Sequence, residues 1–314
     1  MPLQTAKKAV NRACENRFAR LSYMLNEFKY KSRCSVKWNT GSAKTVKKLF
    51  LSEFFQKLWQ DSEPFAEVGK LDGTLFREVK TRRTLRLELG GRSFFLKHHL
   101  GVGWKEIFKN LFQFKLPILG AGNEFAAINA LTALDVPTMT AEAYGERGLD
   151  PAKRESFLIT AELCDNVSLE DICRDWAANP PAFKFKYALL KEVARSSSIM
   201  HDNNICHRDC YICHFLLDMK TRDAERPLVS VIDLHRALIW KKLPFRYRVK
   251  DTAGLYFSSM DAGLSRRDFY RFMKLYSHKS LRETLQNDKK FWQAVDKTAR
   301  KLYLKDHKKA APEF

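Results

Sequence analysis

Leu85, Leu87 and Leu89 alternate with Arg86 and Glu88, the two-residue period of a half-buried strand. Gly90-Gly91 follows, and both positions tolerate positive φ, so a tight hairpin returns the chain through Ser93 to Lys97. Leu75 to Val79 supplies a strand-like run ahead of this pair, and Thr138 to Tyr144 and Ser156 to Thr160 supply two more. Leu51 to Trp59 reads as a short amphipathic helix with Phe54, Phe55, Leu58 and Trp59 on its apolar side. A second helix is expected from Asn123 to Leu131, capped by Asn123 and apolar at Phe125, Ile128 and Leu131. Beyond Thr160 the period turns helical. Ser168-Leu169-Glu170-Asp171 has a capping pattern, and Ala188, Leu189, Val193, Ala194, Ser197 and Met200 mark a long helix over 185–201. Short apolar runs at Phe215 to Leu217 and Val231 to Leu234 flank a polar turn, Asp218 to Arg226. Arg248 to Asp251 opens another helix, and Arg266 to His307 is mainly helical. The order predicts an α+β protein with an antiparallel sheet first and helices after it.

Between Lys97 and Glu124, Trp104, Ile107, Phe108, Leu111, Phe112 and Phe114 interleave with Lys105, Lys109 and Lys115. This basic, aromatic helix suits either a membrane surface or packing on the sheet domain. Residues 1–48 carry twelve Lys/Arg against Glu15 and Glu27, half of the net charge of +20. Their loosely amphipathic pattern (Ala13, Arg17, Phe18, Leu21, Met24, Leu25, Phe28) fits a surface helix, an unordered arm, or residues added by an upstream start codon. Such a charge favours an acidic partner: anionic membrane, phosphorylated sugar, or an acidic protein such as acyl carrier protein. The chain lacks an RNA-binding aromatic signature and zinc-finger spacing, so nucleic acid is not expected. Seven cysteines without a framework spacing, no apolar core behind the N-terminal charges and no long uncharged apolar stretch predict a cytoplasmic protein.

The densest chemistry lies in His207-Arg208-Asp209-Cys210-Tyr211-Ile212-Cys213-His214. It has the form of a kinase catalytic loop, with a metal-ligand position at its end, and Val231-Ile232-Asp233-Leu234 adds a second acid in a strand-like run. In such a pair Asp209 accepts the proton of an acceptor hydroxyl and Asp233 holds Mg²⁺ on the phosphates of ATP. Lys97 falls where a phosphate-binding lysine ends the third strand, and Glu124 is its candidate partner. Thr160-Ala161-Glu162-Leu163 would be the hinge whose backbone meets adenine. Two other spacings compete. Cys210-x-x-Cys213 with its histidines could be half of a zinc site, although the remaining cysteines contain no second pair. Cys-x-x-Cys-His also matches haem attachment, which requires export. The cysteines as small core residues are compatible with the kinase loop.

Three features depart from the protein-kinase pattern. His214 stands where Asn usually ends the loop, and Mg²⁺ prefers oxygen ligands. No glycine-rich loop joins the first strands; Lys80-Thr81-Arg82-Arg83-Thr84 is there instead, so Arg82 and Arg83 are candidate phosphate contacts. No Ala-Pro-Glu segment closes an activation loop after Asp233, the one such tripeptide being the distant Ala311-Pro312-Glu313, which favours a small or lipid-linked alcohol over a protein acceptor.

The segments 77–97, Gly101-Val-Gly-Trp104-Lys-Glu-Ile107, Met139 to Arg147, His207 to Leu217, Val231-Ile-Asp-Leu-His-Arg236 and Lys250 to Phe257 together resemble the lipopolysaccharide core heptose(I) kinases of Gram-negative bacteria. That family itself carries His at the position of His214. The resemblance runs from about Lys48 to near the C-terminus. It implies a bilobal kinase-like fold, with a small lobe at 49–163 and a large lobe at 164–314 behind the basic extension 1–48. It also implies ATP- and Mg²⁺-dependent transfer to O4 of the first inner-core heptose, on lipid A–core at the cytoplasmic face of the inner membrane. The alternatives are a kinase acting on the neighbouring octulosonic acid sugar or another small alcohol, a catalytically silent kinase-like module, and a protein tyrosine kinase.

Overall fold

The computed structural model describes residues 46–79, 81–112 and 120–313; the N-terminal amphipathic pattern, Lys80, Phe114 and Lys115 lie outside them. Six antiparallel strands form the first lobe: β1 (Val46–Leu51), β2 (Thr74–Val79), β3 (Arg82–Leu89), β4 (Arg92–His99), β5 (Ala141–Arg147) and β6 (Glu155–Ala161), in the order β1-β5-β6-β4-β3-β2. The β3–β4 hairpin turns at Gly90 and Gly91 with φ of 56° and 72°, as the glycine pair predicts. β1 is a strand that the sequence pattern does not predict. It pairs with β5, so sheet structure begins before the boundary at residue 49.

The period of two along β6 divides the hydrophobic residues between two cores. Phe157 and Ile159 join Phe55, Trp59, Phe65 and Val68 from α1 (Glu53–Leu58) and α2 (Pro64–Lys70), while Leu158 joins a core continuous with the second lobe. Gly145 on β5 allows this close approach, because a Cβ there would lie 2.4 Å from the Phe157 ring. Helix α3 (Trp104–Phe112) follows β4, and α4 (Gly122–Ala133) crosses towards the second lobe. Asn123 does not cap α4 as expected. It lies inside the first turn, Ala121 occupies the cap, and no side chain bonds there. The expected strand at Thr138 begins three residues later, because Thr138 instead donates its hydroxyl to the Val231 carbonyl at 2.6 Å.

The second lobe is mainly helical. β7 (Asn166–Ser168) leads into the short α5 (Leu169–Ile172), where Ser168 accepts from the Asp171 amide as the capping pattern predicts. The long helix α6 (Phe183–Asp202) leads to β8 (Ile205–Cys206) and the catalytic-loop segment. β9 (Phe215–Asp218) and β10 (Val229–Val231) form a hairpin, and β11 (Leu238–Ile239) pairs with β8. Four helices follow: α7 (Phe245–Ser259), α8 (Arg266–Ser277), α9 (Leu281–Asn287) and α10 (Lys289–His307). Val249 and Ala253 of α7 pack on Val295, Ala299 and Tyr303 of α10.

Candidate active site

Lys97, Glu124 and Asp233 meet between the lobes. Lys97 Nζ stands 2.7 Å from Glu124 Oε1 and 3.2 Å from Asp233 Oδ1. Burial alone would lower the Lys97 ammonium, but Glu124 and Asp233 outweigh it and raise its pKa. Burial would likewise raise the Asp233 carboxyl. A 2.6 Å hydrogen bond donated by His235 Nδ1 and the charge of Lys97 instead hold it well below the usual carboxylate range. Asp233 has φ 56° and ψ 52°, a left-handed conformation that turns its carboxylate out of the β10 direction and towards Lys97.

The second carboxylate, Asp209, is held by Arg236, whose Nη1 donates to both oxygens at 2.7 and 3.0 Å. His214 closes the same loop. Its Nδ1 donates to the Asp209 carbonyl at 2.7 Å, and its Nε2 stands 3.7 Å from Asp233. His207 donates from Nε2 to the Ile232 carbonyl at 2.9 Å, and its ring stacks on that of His214. The loops carrying Asp209 and Asp233 are therefore fastened to each other.

Beneath them lies Asp251, fully buried on α7. It accepts from the amides of His207 and Arg208 at 2.6 and 2.8 Å. Arg208 has φ 73°, and these bonds hold the loop in that costly conformation. A chain of donors backs the carboxylate: Arg248 to the Tyr276 hydroxyl, that hydroxyl to His201 Nδ1, and His201 Nε2 to Asp251.

The expected site residues separate into three groups. Lys97, Glu124, Asp209, His214 and Asp233 come together. Arg82 shares the sheet face of Lys97, since it pairs with His99 two residues beyond the Thr84–Lys97 pair. Arg83 does not contribute as expected. Adjacent strand residues face opposite ways, and its guanidinium instead donates to the carbonyls of Val68 and Gly69 at the end of α2. At the hinge, the Glu162 amide donates to the Ser93 carbonyl at 3.0 Å and its carboxylate pairs with Arg86. The expected adenine contact there therefore narrows to its carbonyl and to Leu163. Cys206 and Cys210 are buried, and burial pushes the Cys210 thiol well above its ordinary value, as expected of core residues.

Sequence reasoning missed His235, Arg236 and Asp251 as functional residues. His235 and Arg236 sit two and three residues after Asp233, and Asp251 is an acid entering a hydrophobic helix, so each left a weak local signal. The partners that give them meaning lie 27 to 44 residues away or, for His235, only two.

Of the two carboxylates beside Lys97, Glu124 is buried and Asp233 is one-third exposed, and no cluster of three or more metal-ligating side chains occurs among the described residues. That donor set fits a Mg²⁺ ion carried largely by substrate phosphates and water, with one protein carboxylate completing it. His214 Nε2, a weak ligand for Mg²⁺, also points there.

Residues 66–276 match the Lipopolysaccharide kinase (Kdo/WaaP) family. Among individual proteins, the chain is 48% identical over 253 residues to the lipopolysaccharide core heptose(I) kinase WaaP of Escherichia coli, covering 80% of this chain and 96% of that protein. It is also 48% identical over 257 residues to the enzyme so named in Pseudomonas aeruginosa, covering 82% and 96%. A solved structure of WaaP in complex with acyl carrier protein superposes with a TM-score of 0.72 at 43% identity, over 82% of this chain and 99% of that one.

Replacing Asp251 with Ala strands two buried amides in the catalytic loop. The expected cost is about 3 kcal/mol or more of stability, read by urea unfolding. Hydrogen exchange at the His207 and Arg208 amides should accelerate well beyond that at the β3–β4 amides; unchanged exchange there would refute the role.

Proposed function

The chain belongs to the lipopolysaccharide kinase (Kdo/WaaP) family, and from that premise we propose that it transfers the γ-phosphoryl group of ATP to O4 of the first heptose of the lipopolysaccharide inner core. The observation that carries this reading is the pair of carboxylates, Asp209 and Asp233, fastened through His207 and His214 and faced by the Lys97–Glu124 ion pair. Asp209 orients the acceptor hydroxyl and takes its proton, while Arg236 fixes the rotamer of that carboxylate. Lys97 holds the α- and β-phosphates, and Arg82 extends the cationic face over them. Bound at Asp233, Mg²⁺ would neutralise charge on the β- and γ-phosphate oxygens. Catalysis of this kind is chiefly positioning and electrostatics. The 49–163 and 164–314 segments act as the two lobes on either side of the nucleotide.

Two partners follow from the same reading. A lipid-linked acceptor brings the enzyme to an anionic membrane surface, and α3 has the chemistry for that contact. Trp104, Phe108 and Phe112, spaced by four, are 48, 51 and 83% exposed, whereas Ile107 is buried. No described helix is long and apolar enough to cross a membrane. The second partner is acyl carrier protein, supported by the net charge of +20 and by the complex solved for a similar protein. An apolar cavity of about 460 Å³ lined by Leu189, Val193, Leu255, Phe272 and Trp292 offers the surroundings that a hydrocarbon chain on such a partner needs.

Phosphate transfer from labelled ATP to lipopolysaccharide lacking core phosphate tests the main reading. Label should appear on heptose with the wild type and fall by at least about a thousandfold in Asp209→Ala; label on octulosonic acid instead would move the acceptor to the neighbouring sugar. For the membrane contact, the Phe108→Ser/Phe112→Ser protein should bind phosphatidylglycerol vesicles at least about tenfold more weakly, and equal binding would discard α3 as the contact. For the protein partner, acyl carrier protein should be retained by the immobilised chain at physiological salt; its absence from the eluate would remove it.

A further inference from the structure

Helix α7 meets the catalytic loop along one face. Asp251 binds two loop amides, Gly254 lies so close that a Cβ would stand 2.6 Å from the Cys210 carbonyl oxygen, and Ser258 accepts from the Ile212 amide at 3.0 Å. Lys250 begins this face, four residues before Gly254 and so on the same side of the helix. Its ammonium is half-buried and makes no hydrogen bond or ion pair among the described residues. The charged groups that act on it are Arg236, Asp209, Asp251 and Arg208, all of the catalytic loop or its immediate supports. Burial, followed by the charge of Arg236, lowers its pKa, so among the described residues Asp209 and Asp251 do not compensate this cation fully.

Two nearby cations are otherwise committed, and Arg208 is buried with its Nη1 on the Arg236 carbonyl at 3.5 Å. The Arg236 guanidinium is spent on Asp209, and Lys97 lies across the cleft on Glu124 and Asp233. Between Asp209 and His214 the loop itself holds only Cys210, Tyr211, Ile212 and Cys213, with no positive charge to meet the group in flight.

We propose that Lys250 is a further catalytic residue, whose ammonium receives the phosphoryl group as it passes from ATP to the acceptor. This rests on the phosphoryl-transfer reading above. In that step the acceptor oxygen bonds to the γ-phosphorus and the bond from that phosphorus to the β–γ bridging oxygen breaks. ADP leaves with the electron pair, and the hydroxyl proton passes to Asp209. Charge spreads over the three equatorial oxygens at the moment of transfer. An uncompensated cation in a half-buried position beside Asp209 gains most from an anion arriving there. The acceptor's own anionic groups are the less favoured target, because they extend outward from the reacting hydroxyl to where water screens them.

Steady-state kinetics of Lys250→Met and Lys250→Arg, with thermal unfolding in parallel, test this. Wild-type transfer establishes the underlying reading independently of either variant. Lys250→Met should lower kcat by about a hundredfold or more, with KM for ATP and acceptor within about threefold. ATP hydrolysis by water should fall in parallel, since both reactions share the phosphoryl group. Lys250→Arg should recover about tenfold or more of the lost kcat, because it keeps the charge. Tm of Lys250→Met should be equal to or above that of the wild type, as an uncompensated buried charge is removed. A raised acceptor KM with kcat unchanged would assign Lys250 to the acceptor's anionic groups and overturn the proposal. A lowered Tm with no rescue by Arg would mark a structural residue and overturn it as well.

Discussion

The Lys97 ammonium is the constraint around which this fold closes. It comes from β4, Glu124 comes from α4, and Asp233 comes from the loop after β10, so one cation ties sheet, crossing helix and second lobe together. Three charges at such short range survive partial burial because each compensates the others. Glu124 is almost fully buried, with one oxygen lacking a hydrogen-bond partner among the described residues, so Lys97 on the other oxygen holds it in place. An anion entering the cleft therefore meets a lysine already placed, at a site whose net charge is still negative without a metal.

The second lobe solves a different problem. The Asp209 carboxylate must be held on a loop that has no ladder of hydrogen bonds. Asp251 supplies the missing acceptors from below, the His207 ring and the His214 carbonyl link the loop to Ile232 of the neighbouring one, and His214 Nδ1 closes the loop on Asp209. The support reaches through His201 and Tyr276 to Arg248, so α6, α7 and α8 all bear on Asp209 although none of them presents it. Gly254 belongs to the same design: it removes the side chain that would otherwise keep α7 off the loop.

Features with a local cause were legible in the chain. The β3–β4 hairpin follows from Gly90-Gly91 and the alternation of Leu85, Leu87 and Leu89; the start of α5 follows from Ser168; and the catalytic loop was visible in eight consecutive residues. Errors came where a distant group decided. Thr138 left its expected strand to bond Val231, and Val46–Leu51 became a strand because β5 offered an open edge. Arg82 and Arg83 form one basic pair in the sequence, yet the pleat sends them to opposite faces and the carbonyls of α2 claim the second.

The amino-acid sequence by itself determined the fold class, the two carboxylates, the lysine and its glutamate, because each rests on a period or spacing within a few residues. Only the tertiary structure decided what surrounds them: Arg236 on Asp209, His235 on Asp233, Asp251 under the loop, and Lys250 without an ion-pair partner among the described residues. The physical reason is range. Backbone geometry and hydrophobic alternation act between near neighbours, whereas the charge state and orientation of a buried side chain depend on every group that packing brings within a few ångströms.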